Sequence, residues 1–405
     1  MTEPGDLFLA AEARRELLEE ILPFWRQHCV DEEGGGFVAE MTNDLRLRPE
    51  AAKGLILNSR ILWTFAAAHP HTQNPVDRAL ATRAFDYLRQ YFRDSEHGGF
   101  FWEVGPGGEM LDGKKKTYGQ AFCLYAFTEY YRAFGVPEAL EQAKEVFRWM
   151  ERHCHDPAHG GYVETLARDG SACEDVRLSE KDLNEKKSMN NHLHVLEAYT
   201  NLLRVWPEPL LKQRLSALLA IFQNHILDSH HRHFHHFFDE MWQTRSDSYT
   251  YGHDIEGSWL LCEAAEVLGD SALQSTVGNH ALSIARAVLE EGLDKDGGLF
   301  YEGRGGQVIN SDKEWWPQAE AVVGFYNAYQ LSGDRAFQEA AVQCWKFIQE
   351  KIVDPVHGEW FWKVTRDGKP DFNLPKVSTW KCPYHNGRCC LELLVRTLNC
   401  PEPQR

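Results

Sequence analysis

Three histidines, His194, His253 and His385, stand in short segments that mix imidazole, carboxylate, guanidinium and indole groups: MNNHLHVLEAY (189–199), YGHDIEGSW (251–259), EWWPQAEA (314–321) and KCPYHNGR (381–388). Imidazole changes charge near neutral pH, so histidines gathered in one place can both take and return a proton. A single buried histidine is ordinarily a satisfied core residue; several from separate segments point to shared acid–base work. His253 and Glu256 are three apart on one helical face, a spacing at which the carboxylate could orient the imidazole. Arg60 and Arg388 either pair with Glu256 or Glu320 as ion pairs or stabilise a developing oxyanion. Trp316 and Trp380 flank the histidine segments and offer aromatic faces suited to the apolar C–H face of a sugar. Tyr118, Gln120, Asn190 and His192 are further polar residues set among apolar neighbours. Polar groups converging in an aromatic-lined pocket are the default candidate for a binding or active site.

The elements that would bring these segments together are visible as a repeat. Related stretches begin at Asp31 (DEEGGGFVAE), Asp94 (DSEHGGFFWE), Asp156 (DPAHGGYVET), Asp228 (DSHHRHFHHFFDE), Asp294 (DKDGGLFYEG) and Asp354 (DPVHGEWFWK), with spacings of 63, 62, 72, 66 and 60 residues. A near-fixed period marks a repeat architecture. Apolar and aromatic residues between two Gly- or Asp-rich turns read as a short β-hairpin. His97, His159 and His357 occupy equivalent places in three copies, which assigns them to turn packing or capping rather than catalysis. Between hairpins there is room for two helices. TYGQAFCLYAFTEYYRAFG (117–135) is apolar on nearly every face, whereas VPEALEQAKEVFRWMERHC (136–154) keeps one apolar stripe opposite Glu, Lys and Arg. The first pattern belongs to a helix buried on both sides and the second to an outer cover. Six such alternations predict an all-α fold, a closed (α/α)6 barrel of helical-hairpin repeats with β-hairpin connectors, residues 1–405 forming one domain. An open superhelix would carry polar caps at both ends. In the barrel, one rim collects the N-terminal ends of all the inner helices, and these ends are the segments named above.

Composition narrows the classes of function. The 43 basic and 60 acidic side chains leave a formal charge of −17, which opposes binding to a polyanion and makes nucleic acid an unsuitable partner. The first twenty residues lack a basic region followed by an apolar core, so no signal peptide is expected. The longest strongly apolar run, ILWTFAAA (61–68), is too short to span a bilayer. Ten cysteines without a CxxC pair, two of them adjacent at Cys389 and Cys390, read as reduced thiols of a cytoplasmic protein. The run HHRHFHH (230–236) is the obvious metal candidate, because His231, His233 and His235 would share a face of an extended segment. It falls within the fourth connector with no cysteine or second cluster beside it, so a solvated or packed loop is expected.

In ILNSRILWTFAAA (56–68), MNNHLHVLEAY (189–199), GHDIEGSWLL (252–261), WWPQAEA (315–321) and PYHNGR (383–388) the chain resembles the N-acylglucosamine 2-epimerase superfamily. The resemblance runs in order from about residue 12 to 395, and the GHDIE stretch is closest to the disaccharide epimerases. It implies the (α/α)6 barrel independently of the repeat. It also implies epimerisation at C2 of the reducing-end glucose of β-1,4-linked disaccharides, with His253 and His385 as the acid/base pair and His194 on the floor of the site. Arg60, Tyr118, Asn190, Glu256 and Trp316 would bind the reducing-end sugar and Trp380 would stack beside it, with neither metal nor nucleotide cofactor. Glu320 is counted with the sugar-binding groups. The expected partner is a small carbohydrate, not a membrane or nucleic acid, with a monomer as the simplest assembly. An aldose–ketose isomerase is the nearest rival, since both reactions share an enediolate. An inverting glycoside hydrolase would instead need two carboxyl groups roughly 6.5–9.5 Å apart, for which Glu256 and Glu320 are the candidates. A sugar-binding protein without catalysis is a third class.

Overall fold

The computed structural model describes residues 4–397. Six helices line the axis: Leu55–Thr72, Thr117–Phe134, Met189–Val205, Tyr251–Leu268, Trp315–Ser332 and Tyr384–Thr397, called here inner helices one to six. Each of the first five is followed by an outer helix: Pro75–Tyr87, Pro137–His153, Pro209–Ile221, Ser271–Ala287 and Arg335–Phe347. The sixth outer position is filled from the other end of the chain. Pro4–Arg15 and a π-helical turn at Glu16–Ile21 pack against the sixth inner helix, and Leu22–His28 continues from that turn to meet the first outer helix. Two indole bonds pin this closure, Trp25 Nε1 to Glu359 (3.1 Å) and Trp360 Nε1 to Glu16 (2.7 Å). The result is the (α/α)6 barrel that the repeat predicts.

The two helix types follow from their residues. In the second inner helix every residue from Thr117 to Tyr130 is buried, because its apolar surface faces the axis on one side and the outer ring on the other. Its outer partner buries Ala139, Ala143, Val146, Phe147 and Met150 and turns its charged face to solvent. Three outer helices begin with proline in the first turn, where the missing N–H costs nothing. Gly135 ends the second inner helix at φ 65°, a left-handed conformation that glycine adopts without strain.

The connectors explain the recurring aspartate. Asp94 Oδ1 accepts the backbone N–H groups of Glu96 and His97, and Oδ2 receives the buried ammonium of Lys115 (3.0 Å), two residues before the next inner helix. The same pair recurs as Asp31–Lys53 (2.6 Å), Asp156–Lys187 (2.8 Å), Asp294–Lys313 (2.9 Å) and Asp354–Lys376 (2.5 Å). His97, His159 and His357 each give a backbone N–H to such an aspartate. These stretches are architecture. Local pairings such as Arg93↔Phe100 and His155↔Tyr162 form the expected hairpins. Successive connectors also pair with one another, at Lys53↔Val104, Lys115↔Leu166, Lys187↔Phe238, Tyr249↔Gly303 and Lys313↔Val364, and Met41↔Val377 closes the belt around one rim.

The fourth residue of an inner helix clasps this belt. Gln120 bonds both N–H and C=O of Phe100 (2.9 Å each), Gln318 does the same with Leu299 (2.7 and 2.9 Å), and Asp254 accepts Phe234 N–H (2.8 Å). His192 occupies the same position in the third inner helix. Its Nε2 accepts the N–H of Tyr162 (2.9 Å), and burial depresses its pKa to about 3. His192 is therefore a neutral clasp rather than a member of the reactive group.

The fourth connector departs from the pattern. Tyr249 stands where the others have lysine and stacks on His233 with ring centroids 3.6 Å apart. His233 bonds Asp254 (2.7 Å) and Glu291 (3.2 Å), while His231 lies in the turn and bonds Asp228 (2.6 Å). The turn thus breaks the single extended face that would have aligned His231, His233 and His235, and the loop is packed. No helix among the described residues is long and apolar enough to cross a membrane. The nine described cysteines are free thiols, and Cys400 lies outside the described residues.

Candidate active site

Residues meeting at the axis come from two levels of the inner helices. The sixth residues of the first five, Arg60, Phe122, His194, Glu256 and Glu320, form the lower level together with Arg388. One turn nearer the N-terminal rim stand Tyr118, Asn190, His253, Trp316 and His385. A spacing of three or four residues puts each upper residue over its lower neighbour on the same helical face.

At the upper level His253 and His385 both pack on the indole of Trp316, with ring centroids 4.7 and 5.6 Å away. His253 Nδ1 lies 2.6 Å from Thr250 Oγ1, and His385 Nδ1 lies 2.7 Å from Glu320 Oε1. Burial drives both histidines well below the ordinary imidazole pKa. The imidazoles of His236, His194 and His385 add to the effect at His253, and Arg60 and Arg388 add to it at His385. In both, the direction of the shift favours the uncharged ring, the form that can accept a proton.

The lower level is an ion network centred on Arg388. Its guanidinium bonds Glu256 (2.5 Å), Glu320 (2.7 Å), Tyr384 Oη (2.6 Å) and Glu197. Burial first, and then the neighbouring Glu320, lifts Glu256 to about 7, while Arg388 opposes the rise. Against the cost of burial, Arg388 and His194 hold Glu197 down at about 2. Glu256, Glu320 and His385 place three possible ligand atoms within 4.8 Å of one another, a spacing that would suit a metal. Arg388 Nη2 already sits on both carboxylates, so a guanidinium supplies the positive charge there.

The third histidine is on the floor. His194 donates from Nδ1 to the Glu197 carboxylate (2.9 Å), three residues on, and its ring meets Tyr118 edge-to-face at 4.9 Å. Arg60 bonds Tyr118 Oη (2.8 Å) and lies over the rings of Phe122 and Tyr384. A cavity of about 600 Å³ is bordered by Asn190, His253, His236, Glu164, Tyr301 and Glu314, so that of the two levels only Asn190 and His253 reach its wall. Asn190 Oδ1 is buried and has no protein partner among the described residues. Trp380 borders a second cavity of about 680 Å³ beside Trp102, and both cavities share Arg177 and Leu178.

Two pairings expected from spacing are replaced. Glu256 does not orient His253; Arg388 holds Glu256, and the hydroxyl of Thr250 occupies His253 Nδ1. Arg60 pairs with a phenol rather than with Glu256 or Glu320, leaving Arg388 as the ion-pairing arginine. Three groups were missed by reading the sequence. Glu197 stands three residues after His194, and that spacing could have revealed it. Thr250 stands at the N-cap of the helix that carries His253. His236 belongs to the histidine run set aside as a loop, yet it meets His253 edge-to-face at 5.5 Å.

The family model described as N-acylglucosamine 2-epimerase (GlcNAc 2-epimerase) matches residues 35–389. A cellobiose 2-epimerase of Bacteroides fragilis is 46% identical over 390 residues, covering 96% of this chain and 99% of that protein. A cellobiose 2-epimerase of Dictyoglomus turgidum is 38% identical over 389 residues, covering 96% and 98%. Among solved structures, the cellobiose 2-epimerase of Bacillus thermoamylovorans superposes with a TM-score of 0.91 at 37% identity, over 96% of this chain and all of that one.

Proposed function

This chain belongs to the N-acylglucosamine 2-epimerase family and is an epimerase, hence an isomerase; from that premise we propose that it inverts C2 of the reducing-end glucose in β-1,4-linked disaccharides, turning cellobiose into glucosyl-mannose and lactose into epilactose. The C2 hydrogen of a closed ring is not acidic, so the ring opens first: one histidine, as its imidazolium, protonates the ring oxygen while the other, as neutral imidazole, takes the anomeric proton. In the open aldehyde the C2 hydrogen lies α to a carbonyl, and its removal gives an enediolate. Arg60 and the neighbouring imidazoles offer donors to the developing oxygen charge. Return of a proton to the opposite face of C2 completes the inversion. The observation that carries this reading is that His253 and His385, from different helices, pack on one indole, each held at Nδ1 so that Nε2 is left for the substrate. Arg60, Tyr118, Asn190, Glu256, Trp316, Glu320 and Trp380 bind or frame the sugar in this proposal, His194 closes the floor, and the six repeats act as one catalytic unit.

Inverting glycoside hydrolysis fits less well. Oxygens of Glu256 and Glu320 lie within 4.8 Å of each other on a shared guanidinium, closer than the roughly 6.5–9.5 Å that leaves room for an attacking water in inversion. Proton NMR of the enzyme with cellobiose, and separately lactose, in D2O tests the proposal. A glucose-to-mannose change at the reducing end with deuterium at C2 is the expected result. Ketose alone would assign an aldose–ketose isomerase, free glucose a hydrolase, and undeuterated disaccharide would overturn the substrate class.

A further inference from the structure

We propose that Thr250 is a positioning residue that holds Nδ1 of His253, accepting its hydrogen so that Nε2 presents a lone pair to the substrate. This inference rests on the role of His253 proposed above. Thr250 is the N-cap of the fourth inner helix, with φ −108° and ψ 129°. A threonine in that place ordinarily accepts a hydrogen bond from a backbone N–H of the first turn. Ser188 does so at the third inner helix, where its Oγ accepts Asn191 N–H at 3.1 Å. Thr250 makes no such bond. Its hydroxyl is turned to the ring of His253, 2.6 Å from Nδ1. The helix thus forgoes a side-chain cap, and the hydroxyl serves the imidazole instead.

The residue is itself held from behind. The backbone N–H of Thr250 donates to His236 Nε2 at 3.2 Å, and the His236 ring stands edge-on to His253. A base must offer a bare nitrogen; if Nε2 faces the substrate, Nδ1 holds the hydrogen and Thr250 Oγ1 accepts it. A neutral hydroxyl orients the ring without the pull of a carboxylate, so His253 returns to its uncharged form after each transfer. His385 is built differently, since its Nδ1 faces the Glu320 carboxylate, which stabilises the imidazolium. The two histidines thus have unequal partners, one suited to a neutral base and the other to a cationic acid.

The test uses the whole enzyme labelled with ¹⁵N-histidine, with the His253 signals identified from their loss in His253→Ala. Wild type is expected to show a protonated Nδ1 and an unprotonated Nε2, and Thr250→Val a mixture of both tautomers. Turnover of Thr250→Val should fall roughly 10- to 100-fold, in line with the loss of a partner that sets a catalytic tautomer, with KM changed less than about threefold. Thr250→Ser should restore most of kcat. A wild-type His253 carrying its hydrogen on Nε2, or a folded Thr250→Val with wild-type kcat, would overturn the inference. The NMR reading on wild type stands even where the valine variant does not fold. Full activity of His253→Ala would instead remove the role of His253 on which it rests.

Discussion

His253 and His385 share a tryptophan but differ in what holds them, a hydroxyl in one case and a carboxylate in the other. Loss of either imidazole should disable proton transfer at the substrate. His253→Ala or His385→Ala is expected to lower turnover by at least about 100-fold, with circular dichroism and the thermal midpoint close to wild type. A variant with full activity would exclude that histidine from the mechanism. The pKa of each is depressed, first by burial and then by nearby cationic or histidine groups. A base with a lowered pKa stays unprotonated to lower pH, so the acid limb of kcat/KM should lie below the ordinary histidine value of about 6.5. A pH–rate profile on cellobiose checks it, and an acid limb at or above that value would contradict the depressed state.

At the scale of elements, the connector aspartate is a two-handed fastener: one oxygen caps its own turn and the other holds a lysine before the next inner helix. Lys187 is buried against Asp156 and also donates to the carbonyls of Gly160 and Glu240. Removing one partner of a buried pair leaves the other charge uncompensated. Lys187→Met should therefore cost about 3 kcal/mol, read as a lower midpoint in urea unfolding. An unchanged midpoint would show that the turn N–H groups alone suffice for Asp156. The fourth connector replaces the lysine with Tyr249 stacked on His233, and the same connector supplies His236 and Thr250, which stand beside His253.

At the scale of the whole molecule, the belt of connectors depends on ionised aspartates. Burial works against the charge of Asp156, but Lys187 and the turn N–H groups outweigh it and hold the pKa at about 2. Asp31, Asp294 and Asp354 are lowered in the same sense. A folded pKa below the unfolded value of about 3.9 gives stability that is complete above that value and lost as pH falls through the folded pKa. The barrel should keep its midpoint down to about pH 4 and lose it steeply towards pH 2, seen as the pH dependence of thermal unfolding. A midpoint independent of pH across that window would mean that the ion pairs contribute nothing to the fold.

Much of this architecture was legible in the sequence by itself, because the helical periodicity, the turn residues and the repeated aspartate are local signals. Burial on all faces marked the inner helices, one apolar stripe marked the outer ones, and six copies implied a ring. The choice of His253, His385, His194 and Arg60 as chemical residues followed from their place at inner-helix starts and from family resemblance. Which groups bond to which was decided only by the tertiary structure. Glu256 shares a helical face with His253 yet bonds Arg388, which is 132 residues away, because a buried guanidinium draws carboxylates more strongly than a neutral imidazole does. His192 and His194 are two residues apart, and their opposite directions on the helix make one a clasp of the belt and the other part of the floor. Local pattern sets the direction of each side chain, but the closure of the ring determines what it meets there.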